Sequence, residues 1–256
     1  MRLELKNLTV GYGDHVVLHD LNLKVPAGSI CVLLGPNGSG KTTLLRNVNA
    51  IMKPLGGKVL FEGVAVQSMT RRRIALSMAF VPQSSSLPFN YTGVDMVAMG
   101  RTPHISVWSS PGPRVGEEAR EIMASLGAER LAEKYYMQMS AGERQLVLLA
   151  RAVMQDAPLL LLDEPTSHLD LSNQLVIMKM VRKIVSQRET TVLITMHDPN
   201  LALNYGHYAA LLCDGAMLDH GSVDEMLTGE NLSRVYGVEV RRELTGSGRK
   251  VILPAG

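Results

Sequence analysis

The sequence predicts an α/β fold with a mostly parallel core sheet, an antiparallel β subdomain at the N-terminus and an inserted helical subdomain. Three observations carry this expectation. Short strand-like runs crowd residues 1–34. Solid apolar runs recur at 30–34, 159–162 and 191–195, as strands covered on both faces of a parallel sheet require. Between Gln83 and Pro158 the strand signal nearly vanishes in favour of helical stretches. A chain of 256 residues, at about 150 residues per domain, accommodates one large domain or a core carrying such an insertion.

Taken in order, the runs at 3–12, 16–18, 21–25 and 30–34 lie between Gly, Asp and Pro breakers, and their close spacing predicts antiparallel pairing for most of them. A helix is expected from Lys41 to about Met52, followed by strands at 58–61 and 79–81. Further helices are expected around 92–99, 115–126 and 143–155, while 102–113, with three Pro and the only Trp, reads as a loop. Strand 159–162, helix 171–185 and strand 191–195 form a βαβ pattern. Asp214-Gly215 makes a hairpin turn between 209–213 and 216–219, and the tail past Arg241 is too short for a further domain. Residues 1–83 and 159–256 are therefore assigned to the core with its antiparallel β subdomain, and 84–158 to the helical insertion.

Composition narrows the function classes. Apolar residues make up 46% and charged residues 20%, an ordinary globular balance. Lys+Arg 26 against Asp+Glu 24 leave a net +2 spread along the chain, so the basic footprint of a nucleic-acid binder is missing. No apolar run reaches the length of a membrane span. The first six residues alternate charge with apolar side chains, unlike a secretory signal, which makes the cytosol the expected compartment. Cys31 and Cys213 each sit in an apolar run and read as small buried hydrophobes, not as zinc ligands or a disulfide. Arg71-Arg72-Arg73 reads as a solvated helix face.

Gly35-Pro36-Asn37-Gly38-Ser39-Gly40-Lys41-Thr42 fits G-x-x-x-x-G-K-[ST], directly after a buried strand and before a helix, the context a P-loop requires. Its glycines let backbone N–H groups close around phosphate oxygens, the helix start adds positive potential, Lys41 reaches the β- and γ-phosphates, and Thr42 can ligate Mg²⁺. Leu159-Leu160-Leu161-Leu162-Asp163-Glu164 is a buried strand ending in two acids, and ligands of open α/β sheets bind beyond the carboxyl ends of the strands. Paired with a P-loop about 120 residues upstream, Asp163 is expected to hold Mg²⁺ and Glu164 to orient and polarise an attacking water. Ser140, with Glu143 three residues on, forms a capping box opening the next helix, and a capped helix start with Ser and Gly suits a γ-phosphate contact.

With Met139-Ser140-Ala141-Gly142-Glu143-Arg144-Gln145 standing just before the acidic strand, the chain resembles the ABC ATPases. The usual form of that signature is Leu-Ser-Gly-Gly-Gln, from which Met139, Ala141 and Glu143 depart. The resemblance implies ATP and Mg²⁺ as cofactors. Tyr12 would stack on adenine, Gly35 to Thr43 would hold the phosphates, and Gln83 would be the Q-loop residue and a metal ligand beside Thr42 and Asp163. Ser140 to Glu143 would contact nucleotide from the signature helix. Ser167-His168-Leu169-Asp170 would be the D-loop, with Asp170 at the nucleotide of the second subunit, and His197 would be the switch near the γ-phosphate. Catalysis is thus assigned to Glu164, His197, Gln83 and Lys41. Two subunits would sandwich two ATP molecules, as a homodimer.

Residues 91–104, 139–151 and 163–173, with the tail 235–240, are similar to the ATPase subunits of iron-siderophore, haem, cobalamin and molybdate importers. That resemblance implies a peripheral position on the cytoplasmic face of the inner membrane. The partners implied are an integral-membrane permease, docking partly on the segment after Gln83 and on 100–104, and indirectly an extracytoplasmic substrate-binding protein. Met96 and Met99, spaced i, i+3, also suit a helix core. Other classes fit less well. A DNA-repair ABC ATPase needs a long heptad insertion, a translation-associated one needs two P-loops, and a P-loop kinase lacks the signature. A soluble ABC ATPase of iron–sulfur cluster assembly is the remaining alternative.

Overall fold

The structure, a computed structural model, describes residues 1–83, 90–105, 112 and 114–255. The chain divides into two compact units, Met1–Met69 with Thr191–Gly256, and Thr70–Thr190. The first unit opens with β1 (Leu3–Tyr12) and β2 (His15–Val25), then β3 (Ile30–Leu34), α1 (Lys41–Val48), β4 (Gly56–Phe61) and β5 (Val64–Ala65). The second contains α2 (Arg71–Ser77), β6 (Met78–Val81), α3 (Gly93–Ala98), α4 (Arg114–Ser125), α5 (Ala141–Met154), β7 (Leu159–Leu162) and α6 (Leu171–Arg188). The chain then returns to the first unit as β8 (Thr191–Met196), α7 (Pro199–Tyr205), β9 (Tyr208–Cys213), β10 (Ala216–Ser222), α8 (Val223–Met226), α9 (Gly229–Tyr236), β11 (Val240–Leu244) and β12 (Lys250–Pro254).

In the first unit an antiparallel sheet runs β2-β1-β4-β5, as the crowded N-terminal runs predict. The two runs expected at 16–18 and 21–25 are one strand, β2. Asp20 takes φ 50° between them, and the register with β1 shifts across that stretch, so an irregularity bends the strand without ending it. β3 lies between β8 and β9, parallel to both, and every residue of β3 is buried. This two-sided burial is what its unbroken apolar run anticipates. β10 pairs antiparallel with β9 across Asp214 (φ 49°) and Gly215 (φ 77°), the left-handed pair a two-residue hairpin needs.

Several expectations change. α1 ends at Val48, because Ala50 takes a left-handed φ of 52°. The tail forms an unexpected hairpin, β11 with β12. Cys213 is only half-buried at the end of β9, with its thiol on the Asp214 carboxylate, unlike fully buried Cys31. Residues 102–104 belong to a short 3₁₀ segment, Met99–His104, and most of the rest of the expected loop, like residues 84–89 after Gln83, lies outside the described residues.

In the second unit β6 and β7 run parallel, and α3, α4 and α5 pack together. Met96 is fully buried there, as a core residue of α3 should be, while Met99 is half-buried. Arg71, Arg72 and Arg73 are exposed on α2. The 3₁₀ segment closes the C-terminal end of α5. A Cβ on Gly100 would meet the Arg151 carbonyl oxygen at 2.3 Å, Arg101 donates to the Met154 carbonyl (3.5 Å), and the His104 ring bonds the Gln155 carbonyl (2.8 Å). Arg101 is also ion-paired with Glu118 at 2.5 Å. Among the described residues no helix is long and apolar enough to cross a membrane.

Candidate active site

The first unit supplies Tyr12, the P-loop and His197. Gly38 (φ 79°) and Gly40 (φ 91°) take left-handed conformations that side chains rarely adopt. At Gly35 a Cβ would lie 2.5 Å from the Leu212 carbonyl oxygen, so only glycine lets the loop leave the sheet here. Ser39 N–H donates to the Pro36 carbonyl (3.2 Å), and Lys41, almost fully buried, donates to the carbonyls of Gly35 (2.8 Å) and Pro36 (2.9 Å). α1 begins with no side-chain cap and no acid in its first turn. The Ser39 hydroxyl is buried without a hydrogen-bond partner among the described residues. An uncapped helix start, an orphaned hydroxyl and a glycine loop together fit a phosphate chain.

Parallel register places the other residues of this unit. Leu34 pairs with Met196, so His197, exposed, leaves β8 in step with Gly35, the first residue of the P-loop. Tyr12, at the end of β1 and 48% exposed, shares a hydrogen bond of 3.2 Å between its hydroxyl and that of Thr43 on α1. An exposed ring is thereby tethered to the helix that follows the P-loop.

In the second unit the register between β6 and β7 does the same work. Val81 pairs with Leu162, so residues two further along each strand, Gln83 and Glu164, emerge side by side. The Gln83 amide donates to Glu164 Oε2 at 2.9 Å. Asp163 is buried, and its N–H extends the ladder to the Val81 carbonyl (2.9 Å). Glu164 takes φ 48°, strained for a side-chain-bearing residue, and the turn is held by Ser167 N–H on its carbonyl (3.1 Å) and the Ser167 hydroxyl on Oε2 (2.9 Å). The sequence reading missed this role for Ser167. Its three-residue spacing from Glu164 is the only signal that could have shown it.

Ser140 caps α5 as the capping box predicts, accepting from Glu143 N–H (3.2 Å), while the Glu143 carboxylate accepts from Ser140 N–H (2.9 Å). The departure at Glu143 is locally compensated. Lys134 (2.7 Å) and Arg130 (2.8 Å) bind its carboxylate, and these bonds, Lys134 first and Ser140 N–H next, lower its pKa from the usual 4.5 to about 2. Gly142 is buried against the start of α6, where a Cβ would lie 2.8 Å from the Asn173 side chain. Asn173 is pinned by Asp170, which caps α6 through Asn173 N–H (2.8 Å) and bonds its side-chain amide (2.8 Å). Both Asp170 oxygens are engaged within its own turn. Ala141 is exposed at the first position of α5.

The first unit carries a P-loop and the second an acidic strand end and a capped α5, and the comparison with known families says which class of protein this is. The chain belongs to the ABC transporter family, whose model matches residues 18–167, and it is an ATPase. Among its relatives is the iron(3+)-hydroxamate import ATP-binding protein FhuC of Bacillus subtilis, 36% identical over 241 residues, 93% of this chain and 88% of the relative. A probable iron chelatin transport ATP-binding protein of Helicobacter pylori is 36% identical over 92% of this chain and 93% of its own length. Of solved structures, a metal-chelate type ABC transporter in an inward-facing conformation matches with a TM-score of 0.88 and 30% identity, over 100% of this chain and 98% of that one. A dimeric ATP-binding cassette in a post-hydrolysis state with ADP and Pi matches with a TM-score of 0.76 and 27% identity, over 86% and 98%.

Proposed function

We propose that the chain is the ATP-hydrolysing subunit of an importer for a metal chelate, of the iron-siderophore kind, acting as a homodimer beneath a separate membrane permease. The observation that carries the import reading is likeness to iron-chelate import subunits over nearly the full length. The wider cargo set of haem, cobalamin or oxyanions gains no support beyond the sequence resemblance. An extracytoplasmic substrate-binding protein and the cytoplasmic face of the membrane belong to the same proposal.

The residues described above would divide the chemistry. Tyr12 stacks on adenine, while Lys41 and the N–H groups from Gly38 to Thr42 hold the β- and γ-phosphates. Glu164 orients the attacking water and takes up its proton, kept in place by Gln83 and Ser167. His197 contacts the γ-phosphate, and Ser140, with Ala141 and Gly142 at the start of α5, reaches the nucleotide of the partner copy. Thr42, Asp163 and Gln83 offer the hard oxygen donors that Mg²⁺ takes, and that ion, when bound, offsets charge developing on the phosphates. ATP then closes the dimer and hydrolysis opens it, a two-state element biased by its ligand.

The test is an affinity pull-down of tagged protein from gently solubilised membranes of the native host, read by mass spectrometry. A stoichiometric multi-span permease is the expected result. Soluble partners alone, with ATPase activity intact, would move the reading to iron–sulfur cluster assembly.

A further inference from the structure

The C-terminal hairpin, which the sequence leaves without a role, is joined to the switch segment by a paired contact. Asn200 is the second residue of α7, three positions after His197. Its side-chain amide donates to the Ile252 carbonyl at 3.0 Å, and its side-chain oxygen accepts the Ile252 N–H at 2.8 Å. A primary amide presents donor and acceptor with the spacing of a peptide group. Asn200 thus stands in for one residue of a neighbouring strand and pairs with β12 through both backbone groups of Ile252, a residue only 5% exposed.

The other side of the hairpin is fixed as well. Val240 N–H donates to the Ser233 hydroxyl of α9 (2.8 Å). Arg242 and Lys250, one on each strand, converge on the Asp224 carboxylate of α8, and Arg242 also donates to the Asp224 carbonyl (2.7 Å). Asp198, directly after His197, caps α7 by accepting from Asn200 N–H (2.7 Å) and Leu201 N–H (3.3 Å). At the end of α9, burial first and Asp198 second push the Tyr236 hydroxyl up to about 12. The start of α7 is therefore held from below by its own cap and from the side by the hairpin.

We propose that the hairpin β11–β12 is a positioning element for the switch histidine, acting through Asn200, whose amide fixes the start of α7 and with it the direction in which His197 leaves β8. The proposal rests on the reading of His197 as the γ-phosphate switch. Asn200 is a positioning residue, since it contacts backbone of the hairpin. The hairpin is fastened to α8 and α9 and meets the start of α7 through the Asn200 amide. A pull on the tail is thereby transmitted to the catalytic edge of the sheet.

The experiment compares the full-length variants Asn200→Ala, Asn200→Asp and His197→Ala with the parent protein. The readouts are kcat and KM for ATP hydrolysis, affinity for a fluorescent ATP analogue, and amide hydrogen exchange across 197–205 and 250–254. Asn200→Asp keeps the acceptor for the Ile252 N–H but sets an oxygen against the Ile252 carbonyl. Both Asn200 variants should lose about tenfold in kcat with KM and analogue affinity unchanged, and exchange should quicken in both segments. Arg242→Ala, which loosens the hairpin at its other anchor, should lower kcat in the same direction. Full turnover by Asn200→Ala beside an inactive His197→Ala would overturn the clamp and leave the switch standing. Full turnover by His197→Ala would overturn the switch reading itself. Loss of analogue affinity in step with kcat would show a general loss of fold and also overturn the clamp.

Discussion

Removing the Ser167 hydroxyl should slow ATP hydrolysis without weakening ATP binding. That hydroxyl donates at 2.9 Å to Glu164 Oε2, and the same oxygen takes the Gln83 amide at 2.9 Å. A hydrogen bond to an ionised carboxylate contributes about 1.5–3 kcal/mol net. The backbone beneath the carboxylate, at φ 48°, sits in a region that costs an L-residue about 1–2 kcal/mol, so the turn depends on the bonds that hold it. Because Gln83 still holds the oxygen in Ser167→Ala, the lower end of the range, about 1.5 kcal/mol, applies, which at about 1.4 kcal/mol per decade is about a tenfold loss in kcat. KM should stay put, since the hydroxyl is engaged by Glu164. Ser167→Thr, which keeps the donor, should recover most of the rate. Steady-state ATPase assays with a thermal melt of each variant provide the measurement. A kcat within about twofold of the parent, or a raised KM at constant kcat, would refute the reasoning.

Glu164→Gln keeps the shape but removes the base, so turnover should stop and an ATP-bound dimer should accumulate on size exclusion; normal turnover would sink the role given to Glu164. Gly142→Ala places a methyl 2.8 Å from the pinned Asn173 side chain and should lose about 1–2 kcal/mol in denaturant unfolding, whereas unchanged stability would show that Asn173 yields freely. The Glu143 pKa is lowered on folding from 4.5 to about 2, so its stabilisation is present above about pH 4.5 and is lost as pH falls toward 2. Glu143→Gln should therefore show a shallower drop in melting temperature between neutral pH and pH 3 than the parent, and parallel curves would contradict the ion-pair account.

What the sequence disclosed followed from residues whose neighbours in the chain determine their geometry. β3, β7 and β8 announced themselves by unbroken apolar runs, and Ser140 with Glu143 announced a capping box that the structure contains. What it withheld depends on contacts between distant or irregular segments. Arg130 and Lys134 lie in or beside a 3₁₀ turn without periodicity, so nothing in their spacing pointed to Glu143. β11 reads Val-Arg-Arg-Glu-Leu, mostly polar and exposed, too weak a pattern to be seen as a strand before its partner is known. Cys213 looked buried because its run is apolar, but β9 ends there and its thiol meets Asp214.

The register that joins Gln83 to Glu164 has a consequence for how this chain tolerates change. The pair is a property of two strand ends read in step, Val81 beside Leu162, and not of anything in the long stretch that separates them in sequence. Residues can be added to or removed from the surface of that stretch without moving the pair. One residue inserted within β6 or β7 would turn a side chain to the opposite face and part them at once. Length is thus rigidly counted over a few residues of strand.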